Sequence, residues 1–152
     1  TRRYNGGGIS RYEPERKIWE RYTRDQGVAD EYCCDLKVDD TEVWVVHSAA
    51  RSKGVSVFDR IRKTWKHIRK SQSGDKLSAR QIELDPRSAW LLERRQLIRL
   101  DRRNHRSEFL SLSELCPNAV FERIVRTRNS VWILGDGESN PDRSALVRIP
   151  IR

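Results

Sequence analysis

Three short segments decide how this chain folds: Val43-Trp44-Val45-Val46, Ala89-Trp90-Leu91-Leu92 and Val131-Trp132-Ile133-Leu134. In each segment a tryptophan stands among aliphatic residues, and the tryptophans are 46 and 42 residues apart. An aliphatic residue lies eight positions before each tryptophan, and a polar turn opens five positions before it: Leu36, Ile82 and Ile124; Asp39, Asp85 and Thr127. A recurring spacing of this kind indicates copies of one structural repeat.

A second phrase recurs at the same spacing, in Gly8–Glu13, Gly54–Asp59 and Gln96–Asp101, with a fourth copy in Leu146–Ile149. In the first three copies a polar turn and then an aromatic residue follow, namely Trp19, Trp65 and Phe109. Because side chains within the phrase alternate between apolar and polar, it predicts a β-strand.

Each unit is therefore interpreted as four short strands, a to d. Strand a is Cys34–Val38, Gln81–Leu84 or Arg123–Val125, strand b carries the recurring tryptophan, strand c is the second phrase and strand d the second aromatic. A repeat of about 42–46 residues with four strands is typical of a β-propeller blade, so we expect an all-β propeller. The expected boundaries are 8–24 for strands c and d, 32–68 and 78–112 for two complete blades, and 120–151 for a partial blade.

Thirteen strands, or about three and a quarter blades, are too few for a closed ring. Known propellers have about four blades or more. An open arc would leave apolar sheet faces and strand edges exposed, and such surfaces associate. We therefore expect a partial ring, completed by the remaining propeller blades of a longer chain or by self-association of copies.

The segment Gly8–Pro14 with Trp19, together with Leu36, Asp39 and Val43-Trp44-Val45, resembles the propeller repeats of two-component regulators. That resemblance implies a sensor domain of a hybrid histidine kinase, periplasmic or extracellular, in a ring that typically has seven blades. The sequence departs from the family pattern after the tryptophan strands, where His47-Ser48, Glu93-Arg94 and Gly135-Asp136 replace small residues. The turns between strands b and c also lengthen, at 47–53 and 135–144.

Composition limits the function classes. The 152 residues carry a net charge of +9, with 36% apolar and 35% charged residues. No run of about 18 apolar residues is present, so this segment is not expected to insert into a membrane. The three cysteines are an odd number and cannot form a complete disulfide framework, so free thiols are expected and the redox compartment stays open.

The connections between strands d and a and between strands b and c should meet on one face, where propellers bind ligands. Mixed charges on this face could hold a polar ligand such as a sugar or peptide. The candidate ligand-binding residues are Asp30, Glu31, His47, Arg51, Arg80, Glu93, Arg94 and Asp136.

The turns between strands c and d are basic in each of the first three units and should form a cationic rim on the opposite face. Such a rim would attract an anionic partner, whether nucleic acid, acidic lipid or acidic protein, with a strong dependence on salt. Solvated hairpin tips are the alternative interpretation. The rim residues are Arg16, Lys17, Arg60, Arg62, Lys63, Arg102, Arg103 and Arg106.

No phosphate-binding loop, nucleophile elbow or metal-protease motif occurs in the sequence. His47, His67 and His105 fall at different places in their units, so no metal site, no cofactor and no catalytic residue is expected. The leading hypothesis is a non-catalytic module for ligand sensing or protein interaction. The alternatives are a fragment of a propeller enzyme, lyase or glycosidase-like, and a scaffold that binds anions through the basic rim.

Overall fold

A computed structural model describes residues 7–47, 54–137 and 140–151, with side chains from residue 144 onward in the last range. Arg51, one of the candidate ligand-binding residues, lies outside the described residues. The fold of the described residues is all-β, with four antiparallel sheets that follow one another along the chain. Among the described residues, no helix is long and apolar enough to cross a membrane.

Every sheet is a meander in which consecutive strands pair. The first sheet contains β1 (Ile9–Glu13) and β2 (Ile18–Tyr22). The second contains β3 (Cys33–Val38), β4 (Glu42–His47), β5 (Val55–Asp59) and β6 (Thr64–Ile68). The third contains β7 (Gln81–Leu84), β8 (Ser88–Glu93), β9 (Gln96–Asp101) and β10 (Ser107–Ser111). The fourth contains β11 (Ala119–Arg126), β12 (Ser130–Gly137) and β13 (Asn140–Pro150).

Two short helices interrupt the strands. Arg24–Gln26 form a 3-10 turn directly after β2, so the strand expected to run to residue 24 ends at Tyr22. The helix α1 (Leu112–Leu115) follows β10, and its Leu112 is fully buried. Neither helix was evident from the alternating pattern, because each is a single turn.

The fourth sheet differs from the expected turn structure. A long connection was expected at 135–144, but β12 continues to Gly137 and β13 begins at Asn140. A register shift between Asp136 and Gly137 accommodates the extension of this pair. The expected polar turn is therefore largely strand.

Within the part of the chain that the structure describes, the apolar residues form two cores, and each joins neighbouring sheets. Trp44, on β4, packs in the core that joins the second and third sheets, together with Ile82 on β7. Trp90, on β8, packs in the core that joins the third and fourth sheets, together with Ile124 on β11. Each of these tryptophans therefore packs with the aliphatic residue of the following sheet.

A recurring hydrogen bond connects the first strand of one complete sheet to the first strand of the next. The backbone N–H of Ile82 donates to Asp35 Oδ2 at 3.0 Å, and the N–H of Ile124 donates to Gln81 Oε1 at 2.9 Å. The donors are 42 residues apart and the acceptors 46, which are the spacings of the repeat. We call this pair of hydrogen bonds the strand-a clasp. It places β7 between β3 and β11.

Glycine is needed where strand c begins in the first two units. Gly8 and Gly54 have φ angles of 114° and 70°, in the left-handed region that side chains disfavour. A Cβ atom at Gly54 would overlap the carbonyl oxygen of Ile68. The repeated glycine is therefore explained by backbone geometry at this strand start.

Candidate functional site

The expected ligand face contains a buried polar network. Asp30 and His47 are buried in the second sheet and its preceding loop, so their side chains are not presented to solvent. His47 Nε2 lies 2.6 Å from Ser56 Oγ, and Ser56 Oγ lies 3.0 Å from His67 Nδ1. Cys33 Sγ lies 3.9 Å from His47 Nδ1 and completes a row with one side chain from each strand of the sheet. The expectation that the histidines do not converge was wrong for His47 and His67.

Ser56 determines the proton arrangement of this network. Its hydroxyl has one proton and can donate to only one of the two imidazoles, so the other imidazole must donate to Ser56 Oγ. The same oxygen accepts the N–H of Ala29 at 3.2 Å. Two charged imidazoles would place too many donors on one oxygen, so the network requires at least one neutral histidine.

Burial changes the protonation of this row. It lowers the pKa of His47, against the opposing effect of the nearby Asp30 carboxylate. Burial also lowers the pKa of the more exposed His67, with a further contribution from Arg69. Burial raises the pKa of the Cys33 thiol to about 11, so this thiol is protonated at neutral pH and a poor nucleophile.

Other charges expected on the ligand face are partly neutralised by one another. Arg80 Nε lies 3.6 Å from Glu93 Oε1, and Ser78 Oγ donates to Glu93 Oε2 at 2.9 Å. The carbonyl of Arg94 accepts the N–H of Phe121, while its side chain is exposed. Asp136 is also exposed, and Glu31 is half-buried. The structure therefore leaves Arg80, Arg94 and Asp136 as the exposed part of the expected site, with Glu31 and Glu93 half-buried.

The opposite edge contains a turn that recurs in the first three units. Asp59 Oδ1 accepts the N–H groups of the second and third residues after it, and Asp101 Oδ1 does the same in the third sheet. The fourth residue after the strand-ending acid has a positive φ in every copy: Lys17, Lys63 and His105. The basic turns are therefore copies of one backbone conformation.

Two of the expected rim arginines connect turns within their own sheets. A guanidinium nitrogen of Arg60 donates to the carbonyl of Asp39, and Arg102 donates at the same repeat position to the carbonyl of Asp85 at 2.9 Å. These bonds hold the turn after strand c against the turn after strand a. The rim therefore contains structural arginines as well as exposed ones.

Arg102 also reaches the preceding sheet. Its second nitrogen donates to Asp39 Oδ2 and, at 2.7 Å, to Glu42 Oε2, and its guanidinium carbon lies 5.7 Å from the centre of the Trp44 ring. Only 11% of its side chain is exposed. Arg102 therefore joins two sheets, and its charge is compensated by two carboxylates rather than offered to an anionic partner.

The remaining rim residues are exposed. Arg16 lies 3.7 Å from Glu13, and Arg62 lies 3.9 Å from Asp59, in weak pairs within their own turns. Arg106 Nε donates to Gln72 Oε1 at 3.0 Å. Lys17, Lys63 and Arg103 complete the exposed set. An anionic partner for this rim stays a prediction.

An apolar cavity of about 400 Å³ lies between the first and second sheets. Its wall includes Tyr22, Phe58 and Trp65, whose ring centres lie 5.0–5.9 Å apart. We call it the β1 cavity; its lining residues are Ile9, Ser10, Arg11, Tyr22, Leu36, Val38, Asp40, Val43, Phe58, Arg60, Ile61, Lys63 and Trp65.

Leu36 and Trp19 are exposed apolar side chains of the first two sheets. Leu36 is 41% exposed and lines the cavity wall, whereas its repeat counterparts Ile82 and Ile124 are buried. Trp19 is 69% exposed, lies outside the cavity lining and packs on Tyr12 at 4.9 Å between ring centres. Its counterpart Trp65 packs on Tyr22 of the preceding sheet, and the described residues include no sheet that precedes the first one.

The described residues include no group of three or more histidine, cysteine or acidic side chains that could hold a metal ion. All three cysteines are free. The buried network was missed by the sequence interpretation, although the repeat contains a signal for it. Ser56 occupies the repeat position of Ile98, which is buried in the next unit. A polar residue at a core position needs a hydrogen-bonding partner, and this was the signal for the network.

Solved structures provide a comparison for the whole arrangement. The extracellular domain of BT4673 from B. thetaiotaomicron, described as a one-component system, aligns with a TM-score of 0.66 over 96% of this chain. A second structure, described as the extracellular domain of the hybrid two-component system BT4673, aligns with a TM-score of 0.59 over 84% of this chain. The likeness is one of fold. Identities are 13% and 12%, and the alignments span only 21% and 18% of those longer chains.

Sequence comparisons give no family assignment. No family model matches the chain, and no curated protein matches it.

Proposed function

We propose that this chain is a segment of a β-propeller that serves as a non-catalytic module for ligand sensing or protein interaction within a larger regulator. The observation that carries the proposal is the strand-a clasp, repeated at the spacing of the sequence repeat. Sheets joined at equivalent strands by equivalent bonds are related by a recurring rotation, as blades are around a propeller axis.

The fold likeness supports a role in regulation. The similar domains belong to a protein described as a one-component or hybrid two-component system, and both are extracellular. This agrees with the resemblance of the segments around Trp19 and Trp44 to two-component regulator repeats. The proposal therefore places the chain outside the cytoplasm, in an extracellular or periplasmic sensor.

The chemistry of the buried row favours binding over catalysis. Ser56 is fully buried between His47 and His67, so its hydroxyl is out of reach of a substrate. The raised pKa of Cys33 opposes thiolate chemistry. These side chains link the four strands of the second sheet to one another.

Partners of two kinds fit the proposal. Within the described residues, β1 pairs only with β2, and β13 pairs only with β12, so each has an available edge. Such edges are completed by further strands. The remaining propeller blades of a longer chain, or other copies of this chain, would supply them.

A binding and turnover assay on the ligand face tests this function. We expect neutral or acidic oligosaccharides, or short peptides, to raise the melting temperature without release of product. Arg80→Ala should weaken that effect, whereas Arg128→Ala, an exposed change on the opposite edge, should not. Product formation, or no binding across the panel, would contradict a non-catalytic sensing role.

A further inference from the structure

The β1 cavity corresponds to an interface that is filled elsewhere in the molecule. Seven lining residues of the cavity have repeat counterparts in the core between the second and third sheets. Six counterparts lie 46 positions later in the sequence, and the counterpart of Phe58 lies 42 positions later. The cavity residues are Ile9, Arg11, Tyr22, Leu36, Val38, Val43 and Phe58. Their counterparts are Val55, Val57, Ile68, Ile82, Leu84, Ala89 and Leu100.

Two members of the filled core, Trp44 and Val46, both on β4, lie on a strand that has no counterpart in the first sheet among the described residues. β4 pairs with β5, whose counterpart in the first sheet is β1. A strand paired with β1 would therefore place the counterparts of Trp44 and Val46 in the empty volume of the cavity.

We propose that a β-hairpin with the sequence pattern of strands a and b of this repeat binds at the β1 cavity and along the edge of β1. This inference rests on the repeated sheet arrangement of the proposed function. The second strand of the hairpin adds antiparallel to β1 and inserts a tryptophan into the cavity. Strand addition of this kind combines backbone hydrogen bonds with side-chain pockets that give specificity.

Charge complementarity identifies the hairpin further. Arg102 binds the carboxylates of Asp39 and Glu42 in the turn of the preceding sheet, and Arg60 is its counterpart 42 positions earlier. Arg60 lines the β1 cavity with Lys63 and with Arg11, which is paired with Glu20 at 3.1 Å. Asp40 is the one acidic residue among the described residues of the lining. The turn of the docked hairpin is therefore acidic, like Asp39-Asp40-Thr41-Glu42, with one or two carboxylates on Arg60.

The test uses a labelled synthetic peptide with the sequence of residues 33–47, carrying Cys33→Ser and Cys34→Ser, and fluorescence anisotropy with the 152-residue chain. We expect saturable binding that weakens about tenfold or more when the peptide carries Trp44→Ala, because a buried aromatic anchor dominates such interfaces. A peptide with Asp39→Asn and Glu42→Gln should bind several-fold more weakly and lose most of its salt dependence.

Matched variants of the chain locate the binding site. Val38 is 54% exposed in the cavity wall, so Val38→Arg should block the peptide without unfolding the protein. Val125, 56% exposed on β11 and outside the cavity lining, provides the control, since Val125→Arg should leave affinity unchanged. In the Arg60→Gln chain, the parent peptide and the peptide with Asp39→Asn and Glu42→Gln should bind with the same affinity.

Several outcomes would overturn this inference. Equal affinity of the Trp44→Ala peptide, or equal blocking by Val38→Arg and Val125→Arg, would show that the cavity is not the binding site. Light scattering that detects a dimer abolished by Val38→Arg, with no peptide binding, would assign the cavity to a second copy.

Hydrogen exchange on the same samples separates this inference from the proposed function. Protected Ile82 and Ile124 amides without hairpin binding would reject only the hairpin. Unprotected amides would reject the propeller arrangement as well.

Discussion

Two tryptophans of this chain show how far burial, rather than residue type, determines the contribution to stability. Trp44 is fully buried between the second and third sheets, whereas Trp19 is 69% exposed. We expect Trp44→Ala to lower the free energy of unfolding by about 3–5 kcal/mol, because it leaves a large cavity. Trp19→Ala should change it by roughly 0.5 kcal/mol or less. Urea unfolding measures both, and equal losses would refute the proposed core.

His47, which is buried, and the more exposed His67 predict loss of stability in acid. Burial lowers the pKa of both His47 and His67 in the folded state. The unfolded chain therefore takes up protons near the ordinary value of about 6.5 while the folded chain resists them, so stability falls as pH drops below that value. The free energy of unfolding, measured between about pH 8 and pH 5, should decrease less in His47→Gln and His67→Gln than in the parent. A parent whose stability is flat over this range contradicts the network.

Residue burial was only partly predictable from the sequence. The turn acids Asp39 and Asp85 were identified from spacing, and their side chains accept N–H groups of their turns because such turns leave these donors unpaired. Asp30 and His47 were expected at the surface, but both are buried. Their burial depends on hydrogen bonds across strands and loops, which the linear pattern does not reveal.

Among the elements, the c–d turns differ in what their arginines do. Arg102 connects two sheets through Asp39, Glu42 and Trp44, whereas its neighbour Arg103 is exposed. We expect Arg102→Met to cost about 2 kcal/mol, because two carboxylates lose a charged partner. Arg103→Met, in the same turn, should be within about 0.5 kcal/mol of the parent. Chemical denaturation measures the free energy of unfolding of both variants. Equal values would show that Arg102 does not stabilise the contact between the two sheets.

Strand positions could be predicted from the repeat and from alternation in outer strands such as β3, whereas the inner strands β5 and β8 are buried on both faces. Single helical turns and the extension of β12 and β13 could not be predicted, since register shifts and short helices depend on packing between sheets. The packing of Trp44 with Ile82 of the following sheet also needed the three-dimensional arrangement. The sequence repeat therefore predicts the strands, and the strand-a clasp shows how neighbouring sheets are joined.

At the scale of the whole molecule, the first and the last sheet of the described residues each border an apolar cavity. The β1 cavity lies beside the first sheet, and a cavity of about 370 Å³ lies between the third and fourth sheets, where Trp90, Phe109 and Ile149 face it. Open edges and open cavities at these two sheets agree with a segment that further strands complete. This is the arrangement on which the proposed function rests.

The most direct test of that arrangement is amide hydrogen exchange at Ile82 and Ile124, followed by NMR. The clasp predicts slow exchange at both amides in the parent. Asp35→Ala should accelerate exchange at Ile82 alone, and Gln81→Ala at Ile124 alone, while amides within β8 stay protected. Rapid exchange at both amides in the parent, or no response to either substitution, would contradict sheets joined through their first strands.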